Sequence, residues 1–334
     1  DIGHSRGDDK AVAGYLEQAR KVAPGNAAVA TAWGRYQYLH SNFESAKEAF
    51  LDAARLDPGL AAPHAELGAL YFARLGEPDK SIRHYRRAVE LAPKTVDYRY
   101  ALSSVLSTEG RIDEALAVLR ETHQIVPEDP YPLQLEASIL ISHGRPGEAL
   151  QALEQAATLD AANAQVYWAQ GEVNMQLGKL DAARKAFETM LALTPDAFAA
   201  HTRIGLCYQL EGDFANAEEA YQRALAIEPR DALALNNLAY GALDQPGREA
   251  QALGWAQQAV AIVQDNPEFL DTLGLAQMAN EQLTDAAETL SKAVTIAANY
   301  SPAHYHLAQV YEQSGEVAKA RRHYEAAAAG NGEE

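Results

Sequence analysis

Apolar and small residues recur along this chain at helical spacing, in pairs of amphipathic stretches separated by short polar turns. The second stretch of each pair carries landmarks in fixed register: a small residue, an aromatic or Leu four later, a small or compact residue three after that, and often a Pro five further on. The clearest sets are Ala46, Phe50, Ala53, Pro58; Ser81, Tyr85, Ala88, Pro93; Ala183, Phe187, Met190, Pro195; and Ala217, Tyr221, Ala224, Pro229. The first stretch has its own marks, such as Leu67, Gly68 and Tyr71, or Ile204, Gly205 and Tyr208. The pattern predicts helix-turn-helix units with a period of about 34 residues.

Packing explains the residue types. Small residues let paired helices approach, the aromatic fills the space between hairpins, and Pro stops the second helix. Gly110, Gly144, Gly178, Gly212 and Gly315 fall at the turn inside the hairpin, where a left-handed residue ends the first helix at low steric cost. Counting by register places repeats at 27–60, 61–95, 96–129, 130–163, 164–197, 198–231, 232–266, 267–300 and 301–334. Ahead of them, segment 1–26 holds a lone second helix near 9–23, the remnant of a truncated repeat. Extra residues fall in the turns around Gly76-Glu77-Pro78 and Gln245-Pro246-Gly247, where insertions are tolerated.

These landmarks resemble the tetratricopeptide repeat (TPR) family, with its Trp-x2-Leu-Gly-x2-Tyr, Ala-x3-Phe and terminal Pro pattern. The likeness runs over residues 9–334. It departs where Ala161, Gln264 and Ala298 replace the terminal Pro, and where His64, His201 and His304 fill the Trp position. The resemblance implies an all-α fold, a right-handed superhelical solenoid of tandem repeats of a bacterial multi-repeat type.

Composition narrows the partners. Hydrophobic residues make up 48% of the chain, enough for a continuous core. Acids outnumber bases 46 to 28, a formal charge of -18, which excludes nucleic acid because phosphate binding rests on Lys and Arg. The single cysteine, Cys207, excludes an intramolecular disulfide and reads as a small apolar filler. No apolar run is long enough to span a bilayer. Localisation is left between the bacterial periplasm, with a lipid anchor upstream of Asp1, and the cytoplasm.

No motif carries catalysis: there is no phosphate-binding Gly loop, no His-Glu-x-x-His and no Gly-x-Ser-x-Gly. The chain is therefore read as a non-enzyme without cofactor or metal. The histidines are assigned to hairpin packing. Acid pairs such as Glu218-Glu219 and the basic runs Arg83-His84-Tyr85-Arg86-Arg87 and Arg321-Arg322-His323 are assigned to solvated faces of second helices.

In arrays of this family the first helices line the concave face. Transferred by register, that face is expected to include Arg35, Tyr38, Tyr100, Ser104, Tyr131, Gln134, Ser138, Trp168, Glu172, Met175, Gln176, Thr202, Arg203, Gln209, Asn236, Asn237, Tyr240, Glu268, Asp271, Tyr305, His306 and Gln309. This aromatic, amide-rich set suits a peptide segment, or alternatively a sugar chain. The Lys and Asn combination that clamps a terminal carboxylate in chaperone-tail members is missing. So is the Asn ladder of glycosyltransferase-associated members, whose sixth place has one rung here, Asn237. The stretch from Asn236 to Gly274 resembles a repeat pair common in bacterial members, including those linked to exopolysaccharide assembly. The implied function is a protein-interaction scaffold that assembles a multiprotein complex, with exopolysaccharide assembly or export as the alternative. The array opens on a lone second helix and closes with Gly330 to Glu334, so self-association through its ends is also expected.

Overall fold

The structure, a computed structural model, describes residues 6–330; residues 1–5 of the opening segment and Asn331 to Glu334 of the last repeat lie outside the described residues. Among the described residues there are nineteen α-helices and no strand. The chain forms two compact units, Asp1–Ala161 and Ala162–Glu334. In the first, α1 (Arg6–Val22) precedes hairpins α2 (Ala27–Leu39) with α3 (Phe43–Leu56), α4 (Ala61–Ala73) with α5 (Pro78–Leu91), α6 (Val96–Thr108) with α7 (Ile112–Ile125), and α8 (Tyr131–Ser142) with α9 (Pro146–Leu159). The second unit pairs α10 (Ala164–Gln176) with α11 (Leu180–Leu193), α12 (Phe198–Leu210) with α13 (Phe214–Ile227), and α14 (Ala232–Leu243) with α15 (Glu249–Ile262). It continues with α16 (Pro267–Ala279) and α17 (Leu283–Ile296), then α18 (Ser301–Gln313) and α19 (Val317–Gly330). First helices of neighbouring hairpins pack side by side: α2, α4 and α6 in the first unit, and α12, α14, α16 and α18 in the second.

Several hairpins close on a glycine facing a large side chain. A Cβ built on Gly34 would stand 2.4 Å from the ring of Phe50; on Gly171, 2.4 Å from Phe187; on Gly205, 2.6 Å from Tyr221; and on Gly274, 2.4 Å from Leu290. Phe50 and Phe187 are fully buried, and Ala46, Ala53 and Ala183 are sealed beside them. In these repeats the interior is built from large side chains seated directly on the facing helix backbone.

The turns behave as their glycines require. Gly110, Gly144, Gly178, Gly212 and Gly315 have φ between +68° and +79°, and Ser41 and Glu281 take the same conformation at φ +62° in hairpins that lack the glycine. A side chain in that region is strained by about 1 kcal/mol. Glu281→Gly is therefore expected to raise stability by roughly 0.5–1 kcal/mol, offset in part by the greater freedom of Gly in the unfolded chain. Denaturant midpoints of the variant and parent check it.

Two first-helix histidines, His64 and His304, pack against a histidine of the second helix in their own hairpins. His64 Nδ1 lies 3.1 Å from His84 Nδ1, and His304 Nδ1 lies 2.9 Å from His323 Nδ1; both ring pairs are half-buried. Burial lowers the pKa of His64, His201 and His323. Burial, then the charges of His64 and Arg83, push His84 down to about 4. Between pH 6.5 and 4 the unfolded chain binds more protons than the folded one, so stability is full above that window and falls as pH drops through it. For His84 the loss is about 2 kcal/mol once its partial exposure is discounted. Urea titrations at pH 7.5 and 4.5 read it, and His84→Gln flattens the slope.

Candidate partner-binding faces

In the first unit, the exposed Arg35 donates from Nε to Glu66 Oε1 at 2.6 Å, which ties α2 to α4. Tyr38 sits edge-on to Phe43, and the Arg74 guanidinium lies 5.7 Å from the Tyr38 ring centre. Tyr100 meets Tyr131 edge to face at 5.0 Å, and its hydroxyl donates to Asp129 Oδ2 at 3.4 Å. Burial, then the Asp129 charge, push the Tyr100 phenol up to about 12. Tyr131 itself is 47% exposed, and Gln134 is half-buried one turn along α8.

In the second unit, Trp168 is half-buried with its edge on Phe187, and Met175 packs against the same core. Arg203 donates from Nε to Glu172 Oε1 at 2.8 Å while its guanidinium lies 5.9 Å from the Trp168 ring centre. This repeats the α2–α4 bridge with the charges exchanged between the two helices. Both pairs are partly exposed, so each contributes under about 1 kcal/mol and fixes side-chain direction more than stability. Gln176 is exposed.

Asn236 and Asn237 are more than nine-tenths buried. Asn237 Nδ2 donates to the Tyr221 hydroxyl at 3.1 Å, and that hydroxyl donates to Gln209 Oε1 at 2.8 Å. Asn236 Nδ2 faces Asn237 Oδ1 at 3.4 Å, while Asn236 Oδ1 is buried with no partner. Asp271 is also buried and accepts a hydrogen bond from His306 Nδ1 at 2.7 Å. Tyr240 and Tyr305 stand 46% and 48% exposed on α14 and α18. The register thus selects a mixture of exposed rings, ion pairs between helices, and amides committed to the interior.

Register alone did not reveal the residues that precede a first helix. Thr202 bonds Asp231, Tyr100 bonds Asp129, and Tyr300 lies close enough to Asp271 and Glu268 for their charges to raise its pKa. In each case a side chain at the fifth place of one repeat meets the chain entering the next first helix. That recurrence was the available signal.

Several side chains set aside in the sequence are occupied elsewhere. Cys207 is fully buried beside Phe187 and Ile204, and burial pushes its thiol up to about 11. Glu218 takes a two-pronged bond from Arg248, which lies 5.6 Å from the Trp255 ring centre, and Glu219 pairs with Arg223. Arg83, Arg86, Arg87, Arg321 and Arg322 are exposed, whereas Tyr85 is buried in the core and His84 and His323 are half-buried in the hairpins. No helix of the described residues is long and apolar enough to cross a membrane, and no group of three or more His, Cys, Asp or Glu among them is placed to hold a metal.

Comparison with known proteins gives these geometries a context. Tetratricopeptide repeat models match residues 67–130, 135–198, 169–232, 210–267 and 277–333. The chain is 29% identical over 180 residues to protein O-mannosyl-transferase TMTC1 of Homo sapiens, covering 52% of this chain and 20% of that protein. It is 30% identical over 190 residues to the TPR repeat-containing protein PA4667 of Pseudomonas aeruginosa, covering 56% of this chain and 32% of that one. The chain therefore spans a third or less of the length of these relatives. Among solved structures, the APC/C hetero-tetramer Cut9-Hcn1 matches with a TM-score of 0.57 at 15% identity, over 96% of this chain and 78% of that chain.

Proposed function

Because the chain belongs to the tetratricopeptide repeat family, we propose that it is a non-catalytic scaffold whose first-helix faces hold a segment of a partner protein and so assemble a larger complex. The observation that carries this reading is the exposure of Tyr131, Tyr240 and Tyr305, each 46–48% exposed on a first helix. Rings in that position offer large contact area with little conformational entropy to lose, and a hydroxyl for a peptide group. On α10 and α12 the Arg203–Glu172 pair fixes side-chain direction beside Trp168. No catalytic residue is assigned. The transferase activity in the name of one relative belongs to a protein of which this chain covers a fifth.

The same rings can stack on sugars, and that supports a second reading as a scaffold for exopolysaccharide assembly or export. One experiment separates the two. Extract from the native cell is passed over immobilised protein, parent or the Tyr131→Ala, Tyr240→Ala, Tyr305→Ala triple variant, and retained protein and glycan are identified. Trp168 is unsuited to this test because it packs on Phe187. A protein retained by the parent and lost by the variant supports the scaffold; glycan retained without protein supports the second reading. Equal retention by parent and variant rules out these faces.

A further inference from the structure

The two histidine pairs show a regularity that hairpin packing does not require. His64 and His304 stand at the fourth place of their repeats, and His84 and His323 at the place on the second helix that meets it. At that second-helix place histidine occurs in these two repeats alone, and in both the first helix also supplies a histidine. Elsewhere the same two places hold, for example, Leu133 and Ala152, or His201 and Ala220. The second ring of each pair is braced in the same way. Tyr71 stacks on His84 with ring centres 5.4 Å apart, and Tyr311 on His323 at 5.7 Å. Lys80 and Lys319 lie over those two tyrosines and are themselves paired with Glu77 and Glu316.

The nitrogens are placed for more than a hydrogen bond. Nδ1 faces Nδ1 in both pairs, at 3.1 Å for His64 with His84 and 2.9 Å for His304 with His323. His304 Nε2 donates to the Ala298 carbonyl at 3.0 Å, so in the neutral pair its Nδ1 is an acceptor and the hydrogen between the rings belongs to His323. A carbonyl holding the remote nitrogen of an imidazole is also what fixes the ring of a metal-bound histidine. Two imidazole nitrogens about 2.0 Å from one ion stand about 2.8–2.9 Å apart when cis on a tetragonal ion, and about 3.3 Å apart on a tetrahedral one. The α18–α19 pair has the first spacing, and the α4–α5 pair lies between the two. All four rings are half-buried, which leaves solvent to fill the remaining coordination positions.

We infer that each histidine pair is a two-nitrogen chelating site for a divalent transition-metal ion of tetragonal preference, copper(II) above all, which bridges the first and second helices of α4–α5 and of α18–α19. Imidazole suits this ion, and it stands at the top of the first-row affinity order. It takes the place of the hydrogen between the rings, which turn until both Nδ1 lone pairs meet it. In the α18–α19 pair the displaced hydrogen moves from His323 Nδ1 to its Nε2, so both rings stay neutral and no net proton is released. The inference is independent of the scaffold reading. The two sites are unequal: Arg87 and Arg83 bring positive charge to His64 and His84, whereas the charge acting on His323 is that of its partner His304. The α18–α19 site is therefore the tighter.

The test titrates copper(II) into the full chain, with calorimetry for affinity and electron paramagnetic resonance for the ligands. The two tightest ions are expected to show two imidazole nitrogens each. His323→Gln is expected to weaken the tighter site about tenfold or more, and His84→Gln the weaker one by a similar factor. His201→Gln removes a histidine at the same first-helix place that has Ala220 opposite, and is expected to leave both sites unchanged. Magnesium, which seeks oxygen ligands, is expected not to compete. Unchanged binding in both His84→Gln and His323→Gln would mean an adventitious ion only, held by scattered surface groups, and would overturn the inference. A spectrum with a single imidazole nitrogen on each ion overturns it as well. If either substitution impairs folding, judged by circular dichroism, the nitrogen count on the unaltered chain decides.

Discussion

Phe187→Ala is expected to destabilise the second unit by about 3–5 kcal/mol. The ring is fully buried, closes the α10–α11 hairpin against Gly171, and supports the Trp168 ring at 5.4 Å. Removing it takes away the transfer free energy of the ring and leaves a cavity that rigid helices on either side cannot fill. The companion change is more discriminating. Gly171→Ala alone puts a methyl 2.4 Å from the ring, which forces the helices apart at a cost of about 1–3 kcal/mol. In the Phe187→Ala background the same methyl has room, and Ala is a better helix former than Gly by about 1 kcal/mol, so the substitution is expected to become stabilising. Denaturant unfolding followed by the fluorescence of Trp168 and Trp255 measures all four corners of the cycle. A sign change at Gly171 confirms that the glycine is there for the ring, and a loss of the same size in both backgrounds contradicts it.

The second large effect concerns a hydroxyl. Tyr221→Phe is expected to destabilise the same unit by about 1–3 kcal/mol although the ring stays. The hydroxyl accepts from Asn237 and donates to Gln209, and burial holds the phenol's pKa far above its usual range. Without it, the buried Asn237 amide loses its acceptor and the adjoining Asn236, already with a partnerless oxygen, gains nothing in exchange. Adding Asn237→Leu to Tyr221→Phe removes both ends of the bond and is expected to recover part of the loss, because an absent polar pair is better tolerated than half of one. Urea midpoints of the single and double variants provide the comparison. It also bears on function: Asn237 is a poor residue with which to probe binding, since its loss is felt in the core first.

The residue pattern carried most of the fold. The small residues and rings at fixed register prescribe hairpin closure, and Gly34, Gly171 and Gly205 meet Phe50, Phe187 and Tyr221 as that pattern demands. The turn glycines were legible because a positive φ has few solutions. Glu281 and Ser41 were not, because tertiary packing imposes the turn there on side chains that do not prefer it. For the candidate faces, register identifies the helix side from which a residue departs but not what stands opposite. At the fifth place of successive repeats Tyr305 reaches solvent, whereas Asn236 and Asp271 are buried against Asn237 and His306; Asn237 is in turn held by Tyr221. The ring pair of His304 with His323 and the approach of Tyr300 to Asp271 depend on where one helix ends relative to the next, which periodicity does not encode.

The central claim is that partners meet the first helices. It is tested most directly by placing a photo-crosslinking residue, benzoylphenylalanine, singly at Tyr131, Tyr240 and Tyr305, and for comparison at Leu51 and Leu193, which are similarly exposed but lie on second helices α3 and α11. Irradiation in native extract is expected to give discrete protein adducts from the three tyrosine positions and none from the two leucines. Adducts arising from Leu51 and Leu193, with the tyrosine positions silent, would contradict the account.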